Sequence, residues 1–355
     1  MNLEQLGWCD FFADAFAAHA EDGLIAARVA VQHRGGYDLY SAEGEFAADV
    51  SGRFRHKATA PSEFPAVGDW VAVEAHRAEQ KAIIQAVLPR RTRFSRAAAG
   101  DTTEEQVLAT NIDNTFIVAG LTGELNLRRI ERYLTLAHES LAEPAVLLTK
   151  ADLCDDVPGA IASIHERVPG VPVFAISSVT GQGVDALRSC LSAGRTAVLL
   201  GPSGVGKSTL INYVCGQQIQ AVQPVRESDD KGRHTTTHRE LIYLPSGGMI
   251  IDTPGLRELQ LWDGESGIGS VFADIEVLAG QCRFTDCQHE TEPGCAVLAA
   301  VETGSLDAGR LESHRKLKRE QAYFERRHDV RALAEQRRRW KSATKSLRTH
   351  NRMQR

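Results

Sequence analysis

The sequence contains no continuous apolar run of about 18 residues, the length that a membrane-spanning helix requires. Its first residues, MNLEQLGWCDFFADAF, lack a basic segment and are interrupted by Asp10 and Asp14, so they do not resemble a secretory signal. They suggest a short amphipathic helix that docks on the body of the protein. No internal repeat is present either. We therefore expect a cytoplasmic, globular protein with no membrane partner.

Cysteine is scarce, with seven in 355 residues, and this odd number does not suit a disulfide framework. Four cysteines are far apart in the chain, whereas three lie within fourteen residues. Isolated, inert thiols and one metal site fit this distribution better. The scattered residues are Cys9, Cys154, Cys190 and Cys215, and the crowded ones are Cys282, Cys287 and Cys295.

The formal net charge is only −5, but the two signs are unevenly distributed. Residues 310–355 carry 16 Lys and Arg against 5 Asp and Glu, whereas the rest of the chain carries 25 against 41. An acidic body with a basic tail indicates a polyanionic partner, most simply nucleic acid.

Short strand-like runs separated by glycine and proline fill residues 23–96. Five such runs predict a small closed barrel of the OB type, and barrels of this type often bind oligonucleotides. The runs are LIAARVAVQH, YDLYSA, EFAADVSGRF, DWVAVEA and KAIIQAVL. Basic side chains could line a nucleic-acid surface there or could be only solvated turn residues; they are Arg53, Arg55, Lys57, Arg90, Arg91, Arg93 and Arg96.

Apolar strand cores alternate with helical stretches over residues 97–275, which predicts an α/β domain with a parallel sheet covered on both faces. The strands are TFIVAG, AVLLTKADL, VPVFAIS, TAVLLGPSG, ELIYL and MIIDTPG, and the helices are NLRRIERYLTLAHESL, GAIASIHERV, GVDALRSCL and KSTLINYVC. A Cys/His cluster and a basic, mostly helical run follow. We thus expect three domains: a helix and barrel (1–96), a nucleotide domain (97–275) and a metal-binding module with a basic tail (276–355).

The strand TAVLL is followed by a phosphate-loop motif that opens a helix, which is the context this motif requires. Its glycines let successive backbone N–H groups surround a β-phosphate, and the helix N-terminus adds partial positive charge. We expect Lys207 to contact the β- and γ-phosphates and Ser208 to ligate Mg²⁺. The motif comprises Gly201, Pro202, Ser203, Gly204, Val205, Gly206, Lys207, Ser208 and Thr209.

The choice of base depends on Thr149-Lys150-Ala151-Asp152, directly after the strand AVLL. The Asp152 carboxylate can accept hydrogen bonds from guanine N1–H and the 2-amino group, a pair of donors that adenine lacks. The stem of Lys150 can cover the ring. Thr149 replaces the commoner Asn, so we expect one side-chain amide that ties this loop to be absent. Ser177 and Ser178 end the next strand and are expected to offer a backbone N–H to the guanine carbonyl. A surface turn is the alternative for either loop.

Two segments after the phosphate loop have the spacing of nucleotide switches. In GRHTTTHR, a hydroxyl from Thr236 or Thr237 can complete the Mg²⁺ shell, and the choice between them stays open. At the end of MIID, Asp252 can hold Mg²⁺ through water and the Gly255 N–H can approach the γ-phosphate. The base-reading loops precede the phosphate loop and switches here, the reverse of the usual order. The nucleotide domain is therefore predicted to be circularly permuted, which closely spaced domain termini permit.

The cluster Cys282-x₄-Cys287-x-His289-x₅-Cys295 offers three thiolates and one imidazole. This is a closed tetrahedral set suited to structural Zn²⁺, with no open position for catalysis. Its spacing differs from the common paired Cys-x₂-Cys.

The motif order, the GRHTTTHREL stretch, the Cys/His cluster and the barrel together resemble the ribosome small-subunit-dependent GTPase A family. The resemblance covers nearly the whole chain, including GDWVAV, EQVLATNID, NLRRIERYL and the basic tail. It implies a cytoplasmic bacterial GTPase acting late in maturation of the small ribosomal subunit, which binds the subunit and its rRNA and is stimulated by it. It also implies one Zn²⁺ per chain on all four ligands, and Mg²⁺ with GTP. His234 would orient the attacking water, because Leu256 occupies the position where many GTPases have Gln; the alternative is that His234 only packs within its loop.

We expect a monomer. Two other functions remain open from the residues alone. The chain could be an NTPase unconnected with ribosomes, although Lys150 and Asp152 argue against ATP and the basic tail against a purely soluble partner. It could also be an RNA-binding module whose nucleotide site is only structural. Turnover measured with and without small subunits separates these possibilities.

Overall fold

The computed structural model of the chain describes residues 2–97, 105–219, 239–252 and 265–323. The strands are β1 (Ile25–Gln32), β2 (Tyr37–Ser41), β3 (Gly44–Val50), β4 (Trp70–His76), β5 (Lys81–Val87), β6 (Arg93–Ala97), β7 (Glu105–Thr110), β8 (Asn114–Gly120), β9 (Glu143–Thr149), β10 (Val173–Ala175), β11 (Thr196–Leu200), β12 (Arg239–Tyr243) and β13 (Met249–Asp252).

The helices are α1 (Asp10–Glu21), α2 (Gly52–Lys57), α3 (Leu127–Glu139), α4 (Val157–Arg167), α5 (Val184–Cys190), α6 (Lys207–Cys215), α7 (Glu265–Val271), α8 (Ala273–Ala279) and α9 (Ala296–Glu302). Residues 308–323 are also helical, and we call them α10. Short 3₁₀ turns occupy Glu4–Leu6, Pro61–Glu63, Arg77–Glu79 and Ala151–Leu153. No helix in the described part of the chain is long and apolar enough to cross a membrane.

The first five strands close into a barrel. β1 pairs with β2 and β4, β2 pairs with β3, and β5 pairs with both β3 and β4. The alternation of buried and exposed residues along β3 places Phe46, Ala48 and Val50 inside. This is the OB-type barrel that the sequence predicts. The prediction was wrong about the end of its third strand: β3 stops at Val50, and Ser51 caps α2 by accepting a hydrogen bond from the Phe54 N–H.

Helix α1 packs on the barrel through aromatic side chains. Phe12 is buried, and the Trp8 and Trp70 rings meet edge to face with their centroids 4.7 Å apart. The buried guanidinium of Arg28 adds a second contact, because it donates to the backbone carbonyls of Leu6 and Asn111. The N-terminal segment is thereby fixed to the body, as its amphipathic pattern predicts.

The nucleotide domain contains a sheet in the order β10-β9-β8-β11-β13-β12. Five of these strands are parallel, and helices cover both faces over two buried apolar clusters. The predicted parallel sheet is confirmed for these five strands, and β12 departs from it because it runs antiparallel to β13. A two-stranded hairpin of β6 and β7, which the sequence reading also missed, connects the barrel region to this sheet.

The barrel and the nucleotide domain share hydrogen-bonded strands. Val31 and Gln32 at the end of β1 pair antiparallel with Glu240 and Arg239 at the start of β12. The result is one 11-stranded sheet that continues from β10 into the barrel. β12 begins at Arg239, the last residue of the GRHTTTHR segment, and the rest of that segment lies outside the described residues.

Candidate functional site

Five strand ends meet at one edge of the sheet. Because β8, β9, β10, β11 and β13 are parallel, the loops that follow them share the carboxyl edge, where α/β sheets bind ligands. The phosphate loop follows the central strand β11. The two base-reading loops follow β9 and β10 on one side, and Asp252 ends β13 on the other. The permuted chain order therefore still brings the predicted nucleotide loops to one edge of the sheet.

Residues Gly201–Gly206 of the phosphate loop join β11 to α6, which begins with Lys207, Ser208 and Thr209. The loop needs two of its glycines for different reasons. A Cβ at Gly201 would lie 2.5 Å from the Val118 carbonyl oxygen, and Gly206 has φ +100°. The Lys207 ammonium donates to the carbonyls of Gly201 and Pro202, at 2.7 Å each. It thus reaches across the loop that is expected to hold the phosphates.

The first base-reading loop is tied to the phosphate loop. The Thr149 hydroxyl donates to the Val205 carbonyl and also lies 3.2 Å from the Ala119 carbonyl. A hydroxyl thus ties the two loops together in place of the side-chain amide that is absent here. Lys150 then adopts φ +60°, which turns the chain sharply into the Ala151–Leu153 helical turn and leaves Asp152 exposed at the edge.

The second base-reading loop folds back on itself around Ser177. Its buried hydroxyl accepts hydrogen bonds from the N–H groups of Val179 and Thr180, at 3.2 and 3.1 Å. The backbone N–H of Ser177 donates to the Gln182 carbonyl. The Ala151 N–H donates to the Ile176 carbonyl, so the two base-reading loops also contact each other. Ser178 is partly buried at the turn. The residues expected to read the base are thus brought together, and their roles remain predictions.

Asp252 is partly buried at the end of β13, opposite Glu240 in the ladder. The remaining switch residues lie outside the described residues; they are His234, Thr236, Thr237, Gly255 and Leu256. The basic tail beyond residue 323 also lies outside them.

The four predicted zinc ligands converge. Their candidate ligand atoms all lie within 4.8 Å of one another. A tetrahedral zinc with Zn–S of about 2.3 Å and Zn–N of about 2.0 Å requires S···S near ~3.8 Å and S···N near ~3.6 Å. The Sγ atoms of Cys282 and Cys295 are 3.8 Å apart, and they lie 3.6 and 3.5 Å from His289 Nδ1. Burial lowers the pKa of His289 and so favours the neutral imidazole that binds metals. The donor set therefore fits zinc.

Arg310, at the start of α10, joins the segment that contains the Cys/His cluster to the nucleotide domain. Its guanidinium forms two hydrogen bonds with Asp274 of α8, at 2.8 and 2.7 Å, and one with Glu131 of α3, at 2.9 Å. It also lies over the Phe272 ring, with Cζ 4.8 Å from the centroid. The sequence reading missed this pairing, because its partners are 179 and 36 residues away.

The basic residues proposed for the barrel surface have different environments. Arg90 is largely buried and forms a bidentate pair with Asp69, at 2.8 and 2.7 Å, so its role includes packing. Arg93 lies 3.4 Å from Glu105, and Arg91 lies 3.9 Å from Asp113. Arg53, Arg55 and Lys57 lie on exposed positions of α2.

Comparison with known proteins places this geometry in a family. The family model described as RsgA GTPase matches residues 87–262. The small ribosomal subunit biogenesis GTPase RsgA of Opitutus terrae is 49% identical, over 100% of this chain and 99% of that protein. The protein of the same name from Streptomyces coelicolor is 47% identical, over 96% and 92%.

Two solved structures share the fold. The crystal structure of YjeQ from Thermotoga maritima covers 84% of this chain and 99% of its own, with a TM-score of 0.63 and 25% identity. YloQ, described as a circularly permuted GTPase, covers 84% and 95%, with a TM-score of 0.61 and 24% identity. The permuted strand order, the barrel and the Cys₃His cluster, together with full-length relatives at nearly half identity, show that this chain is a GTPase of the RsgA family.

Proposed function

We propose that this GTPase acts in late maturation of the small ribosomal subunit. It binds the subunit and its rRNA in a GTP-dependent way, and the subunit stimulates hydrolysis. The observation that carries the proposal is the 49% identity, over the full length of both chains, to a protein named for small-subunit biogenesis. The excess of basic over acidic residues in 310–355 supports an RNA partner. The protein acts as a monomer in the cytoplasm.

The bound nucleotide is GTP with Mg²⁺. The phosphate loop holds the phosphates, with Lys207 on the β- and γ-phosphates and Ser208 on Mg²⁺, and Asp252 supports the ion through water. Asp152 reads the guanine edge while Lys150 covers the ring, and the Ser177–Ser178 turn offers a backbone N–H. The convergence of these loops at one sheet edge supports these roles.

Hydrolysis requires an oriented water, and Leu256 cannot hydrogen-bond to one. We assign this task to His234, with the Gly255 N–H near the γ-phosphate and Thr236 or Thr237 completing the Mg²⁺ shell. Because orientation of the water accounts for much of the catalysis, a slow intrinsic rate and activation by a partner follow.

One zinc ion per chain has a structural role in residues 276–355. The spacings among Cys282, His289 and Cys295 support this, because they are those of a tetrahedral site. With four protein ligands, no position is left for a substrate. We retain the division into a barrel domain (1–96), a GTPase domain (97–275) and a zinc module with its tail (276–355).

Phosphate release from GTP, measured against increasing small ribosomal subunit, tests the proposal. We expect the rate to rise and saturate, and Lys207→Ala to abolish it, because this variant removes a phosphate contact but little packing. Large subunits are the matched control and should not stimulate. A rate that small subunits leave unchanged contradicts the proposed partner, and Lys207→Ala activity within about threefold of wild type, or ~0.6 kcal/mol in barrier, contradicts the phosphate-loop role.

A further inference from the structure

Arg239, the first residue of β12, carries a positive charge that lacks an acidic partner among the described residues. It is partly buried, and its Nη1 lies 3.2 Å from both the Gln32 side-chain oxygen and the Val107 carbonyl. Both acceptors are neutral. Burial, and then the nearby charge of Arg96, lower the pKa of Arg239 to about 10, so the guanidinium stays protonated at neutral pH.

Other buried arginines of this chain have acidic neighbours. Arg90 pairs with Asp69, and Arg310 pairs with Asp274 and Glu131. The fully buried Arg28 has the charges of Asp69 and Asp113 close by. Arg239 differs, because among the described residues the charged group that acts on its pKa is another arginine, Arg96. Removing a cation from water without an anion costs free energy, so an anion from outside would stabilise this arrangement.

Arg96 and Arg239 reach the same stretch of β7. The Arg96 Nε donates to the Gln106 side-chain oxygen, at 3.0 Å, while Arg239 donates to the carbonyl of the next residue, Val107. Arg96 is partly buried and, within the described residues, forms no ion pair. We call the site formed by Gln32, Arg96, Gln106, Val107 and Arg239 the arginine notch. It lies where the barrel, the β6–β7 hairpin and the GTPase sheet meet.

We propose that the arginine notch binds a backbone phosphate of RNA, with Arg239 and Arg96 as its ligands. Arginine suits this task, because its planar fork of donors matches phosphate oxygens. We assign the phosphate to an RNA strand because the notch borders an OB-type barrel, a fold whose surface commonly binds oligonucleotides. This inference rests on the proposed function and adds to it a contact with the RNA partner.

The notch is also close in sequence to a residue with a predicted role in binding Mg²⁺. Arg239 follows Thr237 by two residues, and its backbone pairs with Gln32 of the barrel. A phosphate bound by Arg239 would therefore lie at the first residue of β12, two residues after Thr237 in the sequence.

The test uses the full-length protein with a non-hydrolysable GTP analogue and purified small ribosomal subunits. Affinity is measured over a fourfold range of KCl concentration for the wild type, Arg239→Gln, Arg96→Gln and Arg239→Lys. We expect either Gln variant to lower the slope of log affinity against log salt by about 0.7 to 0.9. The wild type should then lose about threefold more affinity than the variant over this range. Arg239→Lys keeps the charge and should restore the slope.

Arg93→Gln is the matched control, because Arg93 lies on the same strand as Arg96 but is already neutralised by Glu105. Four outcomes would overturn the proposal. An unchanged slope in Arg239→Gln excludes a phosphate contact, and lower affinity at every salt with an unchanged slope assigns Arg239 a packing role or a protein partner. An equal loss of slope in Arg93→Gln reduces the notch to general surface charge. A wild type that fails to bind subunits at the lowest salt contradicts the proposed function itself.

Discussion

The Thr149 hydroxyl donates a hydrogen bond to the Val205 carbonyl, which joins the loop expected to read the base to the loop expected to hold the phosphates. Val205 precedes the Gly206-Lys207 step at which α6 begins. A shift of Thr149 would therefore displace the start of α6, so we expect the two loops to move together.

We expect Thr149→Val to weaken binding of both GTP and GDP by about tenfold, because it leaves the Val205 carbonyl without its donor at a cost of about 1.4 kcal/mol. Valine has nearly the same shape, so packing is preserved. Thr149→Ser keeps the hydroxyl and is the control, with affinity near that of the wild type. Calorimetric titration of both nucleotides measures the effect. Equal affinities for the Val and Ser variants would show that the hydrogen bond does not contribute.

Asp152→Asn should weaken GTP binding by about tenfold or more and favour xanthosine triphosphate, whose 2-oxo group accepts from an amide. Asp152 is exposed at the sheet edge, so the fold should not change. Asp155→Asn, at another exposed carboxylate of the same loop, is the control and should leave both affinities alone. Direct binding of the two nucleotides to each variant decides the matter, and unchanged GTP affinity in Asp152→Asn would remove this residue from base recognition.

The sequence predicts those parts of the fold that depend on residues close together in the chain. Buried strands such as β8 and β11 are short apolar runs, and the phosphate loop is a contiguous motif with glycines at fixed offsets. The zinc ligands lie within fourteen residues, so their grouping is also local. Each of these features can be read without knowledge of distant neighbours.

Features formed by distant residues were missed. Arg239 and Gln32 are 207 residues apart, and their two-residue ladder leaves no periodic signal in either segment. The Arg310 pairing is similar, since an arginine in a basic run does not reveal that Glu131 faces it. The start of α2 was assigned to a strand because only three residues separate the apolar side chains of Val50 and Phe54. The Ser51 cap, which begins the helix, leaves no periodic signal.

Metal removal tests the zinc module. Cys287→Ala should lose the ion and unfold residues 276–323, because zinc binding contributes on the order of 10 kcal/mol to a small site of this kind. Nucleotide affinity should persist, since no base- or phosphate-reading residue lies in the module. Metal analysis, circular dichroism and GTP binding measure the three effects, with Cys154→Ala, outside the cluster, as the control. Wild-type protein that is fully folded without zinc would contradict the structural role.

Arg310→Met should lower the free energy of unfolding by about 3–5 kcal/mol, because it leaves the buried Glu131 carboxylate without its closest partner. Arg128→Gln is the control. It removes an exposed ion pair between Arg128 of α3 and Glu312 of α10, and it should cost no more than about 1 kcal/mol. Urea unfolding of the two variants at neutral pH gives both values. Similar small losses would mean that Arg310 does not anchor the module.

The ion pair between Arg310 and Asp274 predicts that the free energy of unfolding depends on pH. Burial raises the pKa of Asp274, but the hydrogen bonds and charge of Arg310 outweigh this and hold the pKa below its usual value. A depressed folded-state pKa means that this stabilisation is present above the unfolded-state pKa of about 3.9 and is lost as pH falls through the folded value. Asp274→Asn should therefore lose less stability than the wild type between neutral pH and acid. Parallel acid profiles in urea unfolding would exclude this contribution.

The last prediction concerns the basic tail. Residues 335–355 carry eight Lys and Arg against one Glu, so they should neutralise RNA phosphates, and subunit affinity should fall steeply with salt. Deleting them should leave intrinsic hydrolysis unchanged, because the phosphate and base loops lie far upstream in the chain, but should raise the subunit concentration needed for half-maximal stimulation. Hydrolysis measured against subunit concentration at two salt levels compares both proteins. The GTP form should bind the subunit more tightly than the GDP form, and linkage then requires the subunit to favour GTP over GDP by the same factor. If truncation and salt leave the stimulated curve unmoved, docking depends on the barrel and hairpin, and the tail has another role.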